Sequence, residues 1–252
     1  MTKRDEIISY LAEFLAVHEI KDECPNGLQV EGRADVKRIV TSVSGSEELF
    51  RKAALLKADM VIVHHGIFWD GQSMVMRGSL KKRVACLLEN NITLLGYHLP
   101  LDRHPRIGNN ILAAKGLGLS NIKRFANYHG KEIGFCGTFK KALSPDDFFH
   151  RVNRLFGVRA LAFPFGSRAI KTAGVVSGGA PRQVVEAVKE RLDAYVTGEI
   201  TESVVQYCRE EGIHFAAAGH YATERLGIQA LGKHLASRFK VDVKYVDVPV
   251  PV

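Results

Sequence analysis

Cysteine is scarce in this sequence. Cys24, Cys86, Cys136 and Cys208 are scattered through 252 residues, and no two form a C-x-x-C pair. That excludes a disulfide framework and a cysteine-built zinc clip, and leaves single, partly buried thiols as the expectation. Long apolar runs are missing too. None approaches the roughly 20 residues that span a bilayer, so no membrane partner is expected. The opening stretch, MTKRDEIISYLAEFLAVHEI, has apolar residues at helical spacing with charges between them. It lacks the basic start, apolar middle and small-residue cleavage site of a signal peptide, and a cytoplasmic protein is the expectation. There is no arginine-rich tail and no aromatic-studded basic strand.

The composition that remains is 46% apolar and 25% charged, with a net charge of +8. This is ordinary for a globular protein, and the length suits one large domain or two small ones. The positive balance admits nucleic acid or an anionic, nucleotide-like small molecule as a partner. Its longest cluster, Lys81, Lys82 and Arg83, also reads as a solvated helix face.

An internal repeat organises the chain. The segments 37–45 (KRIVTSVSG) and 171–179 (KTAGVVSGG) are β-rich runs ending in small residues. Helical stretches follow at 46–58 and 180–192, and second strands at 59–66 (DMVIVHHG) and 193–200 (DAYVTGEI). The offset is 134 residues at both Lys37/Lys171 and Asp59/Asp193, which sets His64-His65 opposite Gly198-Glu199. Further helices at 80–90 and 201–211 lead to NITLLGYHLPLD (91–102) and IHFAAAGHYATE (213–224), where aligning His98 with His220 sets Asp102 opposite Glu224. A helix and a strand close each half. The pattern predicts an α/β protein of two pseudo-repeated domains, 1–126 and 127–252, with mostly parallel sheets. Whether the last helix and strand pack on the second domain or return to the first stays open. Segment 127–169 reads as strand–helix–strand attached to the second half, its helix capped by Ser144 with Pro145 in the first turn.

The polar residues of this pattern gather where strands end, the place where open α/β sheets bind ligands. His220 and Glu224 are four apart and share one face if a helix begins there. Imidazole with carboxylate, and no cysteine, suits zinc, iron, manganese or cobalt. In HLPLD, Pro100 disfavours helical geometry at Leu99. Asp102 is the better ligand candidate there, and His98 either supports a ligand or faces substrate. His64 and His65 point to opposite sides of a regular strand; turning at Gly66, they could each serve a different metal of a pair. Glu199 is either a proton-transfer base or a helix cap. The glycine-rich SGGAP (177–181) is either an anion-holding loop or a plain strand-to-helix turn, and it is not a Walker loop. His18, His129, His150, His214 and His234 read as ordinary hydrogen-bonded histidines.

Taken together, PNGLQVEG (25–32), VIVHHG (61–66), HLPLD (98–102), GNN (108–110), TGE (197–199) and AGHYATE (218–224) resemble the Nif-three-like proteins, also called GTP cyclohydrolase 1 type 2 homologues, over nearly the whole chain. The resemblance implies two linked α/β domains with a dinuclear metal centre between them at the strand C-terminal ends. Its two divalent ions would be held by His64, His65, Asp102, His220 and Glu224, with Glu224 bridging. It also implies a ring-shaped homohexamer and attack on the imidazole ring of GTP with release of formate. Glu199 and His98 are then the candidate catalytic residues for proton transfer. The alternative is a non-enzymatic metal-binding protein or a nucleic-acid- or protein-binding regulator.

Overall fold

In the computed structural model, residues 2–251 are described. The chain opens with β1 (Thr2–Lys3), α1 (Arg4–Phe14), β2 (Gly27–Val30), β3 (Asp35–Val36), β4 (Arg38–Ser44), α2 (Glu47–Leu55), β5 (Met60–His65), α3 (Gly78–Glu89), β6 (Thr93–Gly96) and a short α4 (Leu99–Asp102). It continues through α5 (Asn109–Gly116), β7 (Leu119–Tyr128), β8 (Lys131–Leu143), α6 (Pro145–Phe156), β9 (Leu161–Pro164) and β10 (Ile170–Val175). Then come α7 (Val184–Lys189), β11 (Ala194–Thr197), α8 (Glu202–Glu211), β12 (His214–Ala217), α9 (His220–Thr223), α10 (Arg225–Phe239) and β13 (Asp242–Tyr245). No helix among the described residues is long and apolar enough to cross a membrane.

The chain divides into two compact units. The first takes the chain up to Leu101 and adds Gly227–Pro249; the second is Asp102–Leu226 with the residues from Val250. The boundary read from the sequence, 126/127, falls inside β7, whereas α5 and β7 belong to the second unit.

The first unit carries a five-stranded sheet in the order β13-β4-β5-β6-β2. β13, β4, β5 and β6 are parallel, and β2 is antiparallel to β6. The central strands are buried on both faces, which explains their near-continuous apolar runs. One face of these strands (Val40, Val61, Val63, Leu94) packs with Leu49, Phe50 and Ala53 of α2 and Leu87 of α3. The α2 helix starts where Ser46 accepts the Leu49 N–H at 3.1 Å, with Glu47 and Glu48 in the first turn, so a cap and two acids agree with the helix dipole. The closing helix and strand return to this unit: β13 pairs with β4 from Asp242↔Arg38 to Tyr245↔Thr41.

The second unit has a six-stranded sheet, β7-β8-β10-β11-β12-β9. Its core, β10-β11-β12, is parallel, and the flanking strands pair antiparallel. The β7–β8 pairing follows from the turn. Tyr128 pairs with Lys131, and the two residues between them, His129 and Gly130, have φ of 50° and 82°. Positive φ at both positions makes the tight two-residue hairpin whose twist suits antiparallel strands. Segment 127–169 forms the strand, helix and strand expected of it. Ser144 accepts the Asp147 N–H at 3.1 Å, with Pro145 in the first turn of α6.

The repeat is visible in hydrogen bonds. Asp59, at the entry to β5, accepts the backbone N–H groups of Lys37 and Arg38 through Oδ2, both at 2.8 Å. Asp193, at the entry to β11, does the same for Lys171 and Thr172, both at 2.8 Å. In each unit one carboxylate ties the start of the second core strand to the start of the first. Asp59→Ala leaves two strand-entry donors without their acceptor, and a loss of about 1–3 kcal/mol is expected. Asp193→Ala costs less, because Asp193 is more exposed. Urea unfolding midpoints of the two variants against wild type check both the size and the order.

Candidate metal centre

In the first unit β5 stays regular through His65. Alternation sends His64 and His65 to opposite faces, and the sequence alone predicts diverging imidazoles. Their rings instead lie 4.7 Å apart, centroid to centroid. Each ring has a hydrogen-bond partner at the end of a strand beside β5. His64 is fully buried and gives its Nδ1–H to the carbonyl of Tyr97, just past β6, at 2.9 Å. On the other side, His65 Nδ1 meets the Ser44 hydroxyl, at the end of β4, at 3.1 Å. Each ring is thus held from its own side of the strand.

The glycines after these strands admit one side chain. A Cβ on Gly66 would stand 2.0 Å from the Gln29 amide, and one on Gly96 would stand 2.6 Å from it. Gln29 itself accepts the Ile67 N–H at 2.8 Å and donates to the Pro25 carbonyl at 3.0 Å. This fixes the turn that follows His65 and accounts for Gln29 within PNGLQVEG.

His98 has a partner the sequence did not disclose. Its Nδ1 gives a hydrogen bond to Asp22 Oδ1 at 2.8 Å. The Asp22 side chain is only 3% exposed. It also accepts the Leu99 N–H at 2.9 Å and the Asn26 amide at 2.8 Å, while Asn26 Oδ1 accepts the His98 N–H at 2.8 Å. Burial raises the Asp22 carboxyl; the hydrogen bond and charge of His98, with the Asn26 and Leu99 donors, outweigh it and hold the group below the usual carboxylate range. The His98 ring lies 5.1 Å from that of His64 and 5.6 Å from that of His65, and meets Trp69 edge to face at 5.1 Å. One donor nitrogen from each of His64, His65 and His98 falls within 4.8 Å of the other two. Such groups of His, Asp and Glu can hold a metal ion. Asp22 lies just ahead of the PNG motif with no repeat or spacing to mark it, and Trp69 is the only tryptophan of the chain.

The second unit presents carboxylates. His220 opens α9 with Nδ1 on Glu199 Oε1 at 2.6 Å and Nε2 facing Glu224 Oε2 at 3.2 Å. Burial lowers the affinity of this imidazole for its proton; Glu224 and then Glu199 raise it, and the net value is pushed up to about 9. Glu199 therefore orients His220, and Thr201 holds the cap position of α8. Glu224 and Asp102 are buried to 2% and 5% exposure. Asp102 accepts from the Asn109 amide at 2.8 Å and the Ser177 hydroxyl at 3.0 Å, which gives the GNN motif a task. Pro100 is accommodated in the first turn of α4, where its missing N–H costs nothing.

SGGAP is a strand-to-helix turn. The Gly178 N–H goes to the Thr223 hydroxyl at 2.9 Å. Gly178 has φ +68°, and a Cβ there would stand 2.1 Å from Glu224 Oε1; one on Gly198 would stand 2.6 Å from His220 Cα. The small residues of SGG and TGE let backbone approach His220 and Glu224. This donor set is imidazole and carboxylate with no thiolate, as borderline divalent metals prefer. A cation would also offset the cost of two deeply buried acids.

The chain matches the family Duf34/NIF3 (NGG1p interacting factor 3) over residues 2–250. A Pseudomonas aeruginosa protein named GTP cyclohydrolase 1 type 2 homolog is 42% identical over 238 residues, 94% of each chain. Among solved structures, protein ybgI, of unknown function, superposes with TM-score 0.95 at 37% identity over the full length of both chains. The Thermus thermophilus protein TTHA1606 does so with TM-score 0.89 at 34% identity, again over both full lengths.

Gly178→Ala tests the close approach. It places a side chain at positive φ and against Glu224, so a destabilisation above about 1 kcal/mol is expected, together with lower zinc content after equilibrium loading. Thermal unfolding and elemental analysis of the same sample measure the two effects.

Proposed function

Because the chain belongs to the DUF34/NIF3 family, we propose that it is a metal-dependent hydrolase acting on an anionic, nucleotide-like substrate. It would take two divalent ions per chain, their ligands drawn from His64, His65, Asp102, His220 and Glu224. The observation that carries the reading is the anchoring of these donors. The Tyr97 carbonyl, Ser44 and Glu199 hold Nδ1 of His64, His65 and His220, and Asn109 and Ser177 hold Asp102. A ligating histidine ordinarily has its second nitrogen held in this way, which fixes both tautomer and ring plane.

The ions would supply Lewis acidity, polarising the substrate and favouring deprotonation of water. The chain's own residues divide the remaining work. With Nδ1 given to the buried Asp22, His98 presents Nε2 for proton transfer to or from substrate. Glu199 accepts the Nδ1 proton of His220 and keeps that ring turned towards Glu224. The net charge of +8 favours an anionic substrate. Zinc, iron and manganese all suit the donor set.

The test is formate release from GTP by protein loaded with manganese, iron or zinc, with Glu224→Ala as control. Expected are two ions per wild-type chain, fewer in the variant, and formate only from the loaded wild type. Turnover that survives in a metal-depleted Glu224→Ala protein overturns the metal-dependent reading. Two bound ions without formate overturn GTP ring opening.

A further inference from the structure

We propose that His64, His65 and His98 form a metal site complete within the first unit, with His98 as its third ligand. The Nδ1 atoms of all three rings are engaged by the protein, at 2.9 Å on the Tyr97 carbonyl, 3.1 Å on the Ser44 hydroxyl and 2.8 Å on the Asp22 carboxylate. A ring held by Nδ1 offers Nε2 to a metal. Carbonyl and carboxylate are the acceptors that habitually stand behind a ligating histidine.

The ring spacing agrees. With metal–nitrogen bonds of about 2.0–2.1 Å, ring centroids lie about 3.2 Å from the ion, hence about 4.5 Å apart at octahedral angles and about 5.2 Å at tetrahedral ones. The observed separations are 4.7, 5.1 and 5.6 Å. Three neutral imidazoles suit zinc or cobalt(II). Both ions accept a three-histidine donor set with one further ligand.

Asp22 is the positioning residue of this site. Its Oδ2 is committed to the Leu99 N–H and the Asn26 amide. Asn26 is itself fixed, because its oxygen holds the His98 N–H. In Asp22→Asn the new oxygen is best satisfied on that same side. The new amide then faces His98 Nδ1 as a donor and drives the proton to Nε2, the atom the metal needs. His98 Nε2 cannot hold a metal and move a proton at once. The two uses belong to different metal loads, and the three-histidine site describes the first ion bound.

The experiment is a cobalt(II) titration of the full chain carrying His220→Ala and Glu224→Ala. We expect one cobalt per chain with the intense visible bands of a low-coordinate site, a loss of that ion when His98→Ala is added, and affinity about 10- to 100-fold weaker with Asp22→Asn. No cobalt in the folded double variant, or unchanged affinity without His98, overturns the proposal. A second measurement needs no variant. At half an equivalent of zinc, the side-chain 15N signals of wild-type His98 should show metal on Nε2, and unshifted signals overturn the proposal. The outcomes also separate this site from the two-ion reading. Two ions in wild type and none in the double variant would leave that reading standing and this one overturned. A single, His98-dependent ion in wild type would do the reverse.

Discussion

Parallel strands end on the same side, and the chemistry of this protein depends on that constraint. In each unit three parallel strands lie side by side, β4-β5-β6 and β10-β11-β12. Residues far apart in sequence therefore become neighbours at and just past the strand ends. In the first unit these are Ser44, His64 with His65, and Tyr97 with His98. In the second they are Ser177 with Gly178, Gly198 with Glu199, and Gly219 with His220. The alignment at the opposite end comes from Asp59 and Asp193, which bind the first residues of the adjoining strand. A one-residue slip in either sheet would turn every strand-end side chain to the other face.

A strand end by itself leaves an imidazole free to rotate, and a metal ligand that must be ordered on binding loses affinity to entropy. The fold fixes each of these rings beforehand by engaging Nδ1. The partners come from different sources: a backbone carbonyl for His64, a hydroxyl for His65, and carboxylates for His98 and His220. The glycines belong to the same solution. Gly66 and Gly96 let Gln29 brace the turn after His65. Gly178 and Gly198 let backbone close on Glu224 and His220.

Much of this was legible in the sequence, for physical reasons. The 134-residue offset shows because buried parallel strands demand apolar runs and their ends demand polar residues, so Asp59 and Asp193 stand at matching places. The spacing of His220 and Glu224 is legible because it is one helical turn. What was not legible depends on pairing across the sheet. Strand alternation sets His64 and His65 on opposite faces, yet their rings lie 4.7 Å apart, with Nδ1 held by Tyr97 on one side and Ser44 on the other. Asp22 reaches His98 across 76 positions from outside the repeat, so no periodicity points to it. The unit boundary is hidden because the repeat ends each half with a helix and a strand, whereas α5 and β7 belong to the second unit and β13, with α10 from Gly227 on, to the first.

The two copies of the repeat have diverged in charge. At the second strand end the first copy has a histidine where the second has Glu199. At the third strand end both have a histidine, with a carboxylate behind each, supplied by Asp22 in one and by Glu199 in the other. Four residues on, the pair Asp102 and Glu224 adds two buried acids, both in the second unit. The first unit thus gathers imidazoles at its strand ends and the second gathers carboxylates with one imidazole. A divalent ion on imidazoles keeps its charge and attracts anions; one on carboxylates is largely neutralised and its buried acids are relieved. One strand–helix framework, used in both units with different strand-end residues, presents both environments on the same kind of parallel sheet.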